Sequence, residues 1–295
     1  MITSADASPC DTADTATKSD IATHFAALQL SHLEAALAQT LRQEAHPPQL
    51  AQAMRYAVFS GGARLRPQLC LAVHAACNGQ RPNLALGAAA AIELLHCASL
   101  VHDDLPCFDN AKARRGKPAV HCRYGESLAV LVGDGLIVAA FAALHVCNDF
   151  DLKVHAAISR AASALVCGQG WESEPAIDLQ AYHAAKTGAL FVAATTCGAL
   201  AAGDTPSRWR PLGSALGEAY QLADDIADLA EDQHASNPQP NAAAQTGVTA
   251  ARRRLQGLLD AAHRAVPELT TDDGQPSGIN LDRWFTTLRQ RMDVG

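Results

Sequence analysis

Residues 85–104 of this 295-residue chain read ALGAAAAIELLHCASLVHDD, and they constrain its fold more than any other stretch. A helix that is apolar nearly all round has to be enclosed by other helices. At 100° per residue, however, Glu93, His96, Asp103 and Asp104 fall within an arc of about 100°. A polar stripe therefore runs through an oily helix. Buried acids are costly unless they are paired or hold a cation, so this stripe is expected to face a wet cleft containing metal.

A second stretch, YQLADDIADLAED from Tyr220, repeats the pattern. Gln221, Asp224, Asp225 and Asp228 stand at i, i+3, i+4 and i+7 and share one helical face. Hard carboxylate oxygens on two sides of a cleft suit Mg²⁺, which keeps some waters and bridges protein to substrate phosphates. By itself, either acidic face is more often a solvated surface than a metal site. Their joint occurrence with an Arg114–Arg115 pair and a Lys186–Thr187 pair changes that balance.

Alanine is abundant and aromatics are only 5% of residues, a balance that favours close-packed helices over sheets. The expected fold class is all-α. Helices are expected over residues 23–44, 49–59, 66–77, 84–104, 125–148, 152–168, 178–202, 212–231, 248–265 and 280–292, with breakers such as HPP and GDTPSRWRP between them. Residues 1–22 are polar and acidic without a secretory pattern and are expected to form a flexible tail before a single domain, 23–295. No strand pattern stands out. The run from Leu128 has the length of a membrane span, but Asp134 near its middle would cost about 2.5–3.5 kcal/mol in lipid, so a buried core helix is expected.

A net charge of −7 opposes general nucleic-acid binding, which needs a basic face. Nine cysteines without a C-x-x-C pair point away from zinc and towards buried, reduced thiols in a cytoplasm.

Five ordered segments carry a resemblance: FSGGARLRP, HDDLPCFDNAKARRGKP, GDGLIVAAF, AAKTGALF and YQLADDIAD. Together they resemble the trans-isoprenyl diphosphate synthases, the polyprenyl synthetase family, most closely its short-chain geranylgeranyl and farnesyl diphosphate synthases. The resemblance implies an isoprenoid synthase fold, a helical bundle around a deep central cavity, usually as a homodimer with heteromers possible. It implies condensation of isopentenyl diphosphate with an allylic diphosphate by Mg²⁺-assisted ionisation, with three ions when substrate is bound.

By the same resemblance, Asp103, Asp104 and Asp109 match the first metal motif, and Asp224, Asp225 and Asp228 the second. Arg114, Lys186, Thr187 and Gln221 match contacts to the allylic diphosphate, while Arg66, His96 and Arg115 match the isopentenyl diphosphate site. Ala98 and Ser99 occupy the turn where farnesyl-producing bacterial relatives commonly carry an aromatic residue. Small residues there imply an open tunnel and a C20 product, geranylgeranyl diphosphate.

Two departures stand out. Ala63 replaces the lysine of the G-G-K-R segment, with Arg64, Arg66 and Arg123 as candidate substitutes, and the lysine-bearing segment after the second motif is missing. These leave open a weakly active or regulatory subunit of a heteromeric synthase. A class I terpene cyclase shares the fold and the D-D-x-x-D chemistry. An H-D phosphohydrolase, suggested by His102–Asp103–Asp104, lacks further histidine ligands at recognisable spacing.

Overall fold

The computed structural model describes residues 18–43, 47–146, 148–232, 242–269 and 279–292. The chain runs α1 (Lys18–Gln43), α2 (Pro48–Phe59), α3 (Leu65–Ala76), α4 (Pro82–Asp103), β1 (Ala113–Arg114), β2 (Lys117–Pro118), α5 (Val120–Tyr124) and α6 (Glu126–Val146). It continues through α7 (Leu152–Trp171), α8 (Leu179–His183), a π turn (Ala184–Gly188), α9 (Ala189–Ala202), a 3₁₀ turn (Pro206–Arg208), α10 (Arg210–Asp232), α11 (Ala242–Thr246), α12 (Val248–Arg264) and α13 (Ile279–Met292). The all-α expectation holds; the two antiparallel strands are two residues each. Helix α1 begins at Lys18, inside the expected tail. The rest of that tail, residues 1–17, lies outside the described residues, as does the segment 233–241 after the second acid cluster.

Helix α4 is the axis of the bundle and packs against α1, α2, α3, α6, α7 and α9. Fifteen of its residues, among them Leu84, Ile92, Leu94 and Ala98, are buried. Pro82 starts it, where a missing N–H costs nothing. Asp149 and Asp151 lash its entry by pairing with Arg81 at 2.5 and 2.9 Å. Asp151 also caps α7 through the Lys153 N–H at 2.8 Å.

Helix α6 lies antiparallel to α4, with His102 against Gly133 and Gly87 against the Ala143–Leu144 backbone. It differs from the core helix expected of its sequence: less than half of its most apolar window is buried. Leu131 and Val138 are 53% and 63% exposed, and with Val130 they share one face around Asp134. By length and composition, α4, α6 and the continuous α8–π turn–α9 run could each cross a membrane. Of the thiols, Cys70, Cys97 and Cys197 are buried as expected, whereas Cys107, Cys122 and Cys167 are exposed.

Candidate active site

The π turn brings the two acid clusters together. Its neighbours Lys186 and Thr187 reach opposite ways: the Lys186 ammonium donates to Glu172 and lies 3.7 Å from Asp103 Oδ1. Thr187 Oγ1 donates to Gln221 Oε1 at 2.5 Å, and Gln221 Nε2 donates to Asp225 Oδ1 at 2.9 Å. One widened turn of backbone therefore joins the end of α4 to the acidic face of α10. Glycines permit this closeness. A Cβ on Gly168 of α7 would stand 2.7 Å from the Lys186 nitrogen, and one on Gly217 of α10 would stand 2.5 Å from Gly188 Cα. Single π turns inside α-helices are frequent at functional sites.

Asp103 and Asp104 end α4 and are both buried. Gln169 Nε2 donates to Asp103 Oδ1 at 3.0 Å and approaches the Ser99 carbonyl at 3.3 Å. Arg114 Nε and Nη2 converge on Asp104 Oδ1 at 3.0 and 2.5 Å, which fixes the hairpin over the first cluster. The intervening loop folds back so that the Asp109 N–H donates to the Asp103 carbonyl at 2.9 Å. Desolvation raises both Asp103 and Asp109 above the usual carboxylate range, with Lys186 as the main opposing influence.

Asp225 is buried, whereas Asp224 and Asp228, on the same face of α10, are exposed. Asp224 is pushed up to about 7, first by desolvation and then by Asp228 and Asp225, against the pull of Arg66. The surface of Asp224 is open to water, but surrounding protein displaces bulk solvent from it. A carboxylate such as Asp224, desolvated and crowded by other acids until it holds its proton more tightly, is the kind of donor expected where a cation belongs.

Arg66, His96 and Arg115 form the basic floor. The Arg66 guanidinium lies 4.8 Å from the ring centres of both Phe191 and Tyr220. Its Nη1 stands 3.5 Å from His96 Nε2, and its buried Nε has no partner. Burial, followed by Arg66, Arg115, Arg114 and Arg64, holds His96 well below its ordinary value, so its imidazole is neutral. Arg115 has φ 54° and donates to the Gly61 carbonyl. Gly62, at φ 126°, leaves room for it, since a Cβ there would stand 2.6 Å from Arg115 Nη1.

Three expectations change. Glu93, placed on the metal-facing stripe by periodicity, is 2% exposed and pairs with Arg64 at 2.5 Å, away from the cleft. Arg64 also binds Glu34 at 2.8 Å and the Val58 carbonyl at 2.7 Å, so it is committed to the core and does not replace the cation missing at Ala63. Arg123 lies over the Tyr56 ring at 4.5 Å and is likewise engaged. Sequence reasoning missed Gln169, Glu172, Tyr182, Phe191 and Tyr220. The signal available for the first two was a polar break at i, i+3 in the last turn of the apolar helix α7.

Beneath Asp103 a cavity of about 280 Å³ opens between α4, α6 and α7. Ala98 and Ser99 line it with Leu95, Ile137 and Phe141, and Gln169 joins it to the acid cluster. An open cleft of about 370 Å³ between α12 and α13 shares no lining residue with either acid face.

Among the described residues no three His, Cys, Asp or Glu side chains converge as a ready-made metal cage. Mg²⁺ needs none, because it takes one or two carboxylates, water and substrate phosphate oxygens. The paired acidic faces fit that requirement, and a soft-metal site of thiolate or imidazole is not what they offer.

The sequence profile of the polyprenyl synthetase family matches residues 47–241. The chain is 48% identical over 251 residues to a geranylgeranyl diphosphate synthase of Cereibacter sphaeroides, covering 80% of this chain and 87% of that one. It is 33% identical to a farnesyl diphosphate synthase of Geobacillus stearothermophilus over 83% and 91% of the two chains. Its fold matches the crystal structure of a geranyltranstransferase from Thermotoga maritima with a TM-score of 0.79, at 28% identity and with 92% and 99% of the two chains covered.

Proposed function

The chain belongs to the polyprenyl synthetase family, and from that premise we propose that it condenses isopentenyl diphosphate with an allylic diphosphate to make geranylgeranyl diphosphate. It is a trans-prenyltransferase. The observation that carries the reading is the π turn, which joins both acid clusters above an apolar cavity lined by Ala98 and Ser99.

The allylic C–O bond breaks with its electron pair leaving on the diphosphate, the isopentenyl double bond attacks the allylic cation, and the proton lost from the resulting cation passes to the released diphosphate. The family is generally Mg²⁺-dependent, and bound Mg²⁺ supplies Lewis-acid stabilisation of the departing diphosphate. Asp103, Asp104 and Asp109 on one side and Asp224, Asp225 and Asp228 on the other would hold it, as three ions with substrate bound. Arg114, Lys186, Thr187 and Gln221 hold the allylic diphosphate, and their fixed charges and dipoles act in a water-poor cleft where they are strongest. Arg66, Arg115 and neutral His96 hold isopentenyl diphosphate. The alanine-rich wall keeps water from the carbocation, and the growing chain descends past Ala98 and Ser99.

The exposed apolar stripe Val130, Leu131 and Val138 on α6 supports a homodimer. Ala63, with Arg64 and Arg123 both engaged elsewhere, is the observation that favours the second reading, a weakly active or regulatory subunit. Purified protein alone, given Mg²⁺, radiolabelled isopentenyl diphosphate and farnesyl diphosphate, tests both. Label in a C20 product supports the first reading. Label incorporated only after a second synthase is added supports the subunit. Release of diphosphate from the allylic substrate without consumption of isopentenyl diphosphate would indicate a cyclase.

A further inference from the structure

Lys186 forms ion pairs with two carboxylates, and only one of these belongs to the acid clusters. Its ammonium donates to Glu172 Oε1 and stops 3.7 Å from Asp103 Oδ1. Glu172 is itself anchored, since its Oε1 accepts from the Tyr182 hydroxyl at 2.7 Å and its side chain is only 11% exposed. The Tyr182 ring is buried and lies 5.6 Å from the same ammonium. Glu172 ends α7 and Tyr182 belongs to α8, so two elements outside both acidic helices fix the position of this charge.

We infer that Glu172 is a positioning residue: it holds Lys186 beside Asp103 but off it, so that the carboxylate stays available to a cation while the ammonium stays at the cleft. The inference rests on the function proposed above. Without Glu172, Asp103 is the nearest carboxylate left to Lys186, and closing that 3.7 Å gap would form an ion pair across the cation site. Lys186 would then compete with Mg²⁺ for the oxygen that Gln169 already orients. A charged hydrogen bond in a partly buried setting is strong enough to dictate which partner the ammonium takes. Tyr182 plays the lesser part, keeping the Glu172 carboxylate from following Lys186 into the cleft.

The test is a double-mutant cycle on Glu172→Gln and Lys186→Met, read in two ways. The first readout is the rise in melting temperature produced by MgCl₂ with inorganic diphosphate, which needs no turnover. The second is KM and kcat for the allylic diphosphate. Glu172→Gln should lose most of the Mg²⁺–diphosphate stabilisation and raise KM about tenfold, with kcat changed much less. In the Lys186→Met background the same substitution should add nothing, because there is no ammonium left to misplace. Glu172→Asp should recover part of the effect, and Tyr182→Phe should show a weaker version of it. Effects of Glu172→Gln that are equal in both backgrounds would overturn the inference, as would a variant that binds Mg²⁺–diphosphate like the parent. Should the parent protein make no prenyl product, the proposed function fails, while the thermal readout still tests the positioning role on its own.

Discussion

Gln169 Nε2 bonds Asp103 Oδ1 at 3.0 Å while the rest of its side chain lines the cavity beside Ala98 and Ser99. One residue of α7 thus links the acids that would hold the reacting headgroup to the space that would hold the hydrocarbon tail. On the proposed function, chain length would be set by what obstructs that space, starting one turn below Asp103. Ala98 is 1% exposed and faces a cavity of about 280 Å³.

Ala98→Tyr should therefore block the cavity and shift the product from C20 towards C15. Inserting a ring into a packed site costs about 1–3 kcal/mol of stability, so folding should be checked by thermal melting. Chromatography of dephosphorylated products by chain length gives the answer, and an unchanged C20 product would show that the tail runs elsewhere.

Ala63→Lys should improve the enzyme. Arg64 is committed to Glu93 and Glu34 and so does not stand in for the cation missing at Ala63. A charged hydrogen bond of about 1.5–3 kcal/mol corresponds to a KM for isopentenyl diphosphate lower by tenfold or more. Steady-state kinetics at saturating allylic substrate measure this, and an unchanged KM would mean that Arg66 and Arg115 already supply all the charge the site needs.

Asp224 sets a trade between stability and activity. Its folded-state value of about 7 lies above the ordinary 3.8, so the folded protein holds this proton more tightly than the unfolded chain does. The stability of metal-free protein should accordingly fall as pH rises from about 4 to 7 and then level off. Asp224→Asn removes that loss, so the variant should gain stability over the parent across the same window and match it below pH 4. Its kcat should drop about 100-fold or more, because the cations it would help hold would stabilise the transition state by several kcal/mol. Urea titrations at pH 4 and pH 8 with parallel assays check both halves; a variant less stable than the parent at pH 8 would contradict the account.

Much of this was legible in the sequence because helical periodicity is local. The arcs that group Asp103 with Asp104, and Gln221 with Asp224, Asp225 and Asp228, need only 100° per residue. Periodicity also misled at Glu93, since it reports a face but not the partner: Arg64 comes from another segment, and its left-handed φ of 51° at the start of α3 turns it into the core. Helix α6 reads as enclosed because it is apolar on every side, yet the fold leaves Leu131 and Val138 exposed. The π turn had no sequence signal, for it arises where Gly168 and Gly217 let two other helices press on Lys186 and Gly188. Five-residue α5 and the hairpin carrying Arg114 are too short for any periodic pattern to mark.

The central claim is that the acids of α4 and α10 clamp one diphosphate through shared cations. Crystals soaked with Mn²⁺ and inorganic diphosphate, with data collected at the manganese edge, test it most directly. The account predicts anomalous peaks beside Asp103 and beside Asp225, bridged by a single diphosphate that also meets Lys186. Metal bound to one cluster only, or diphosphate bound away from both, would contradict it.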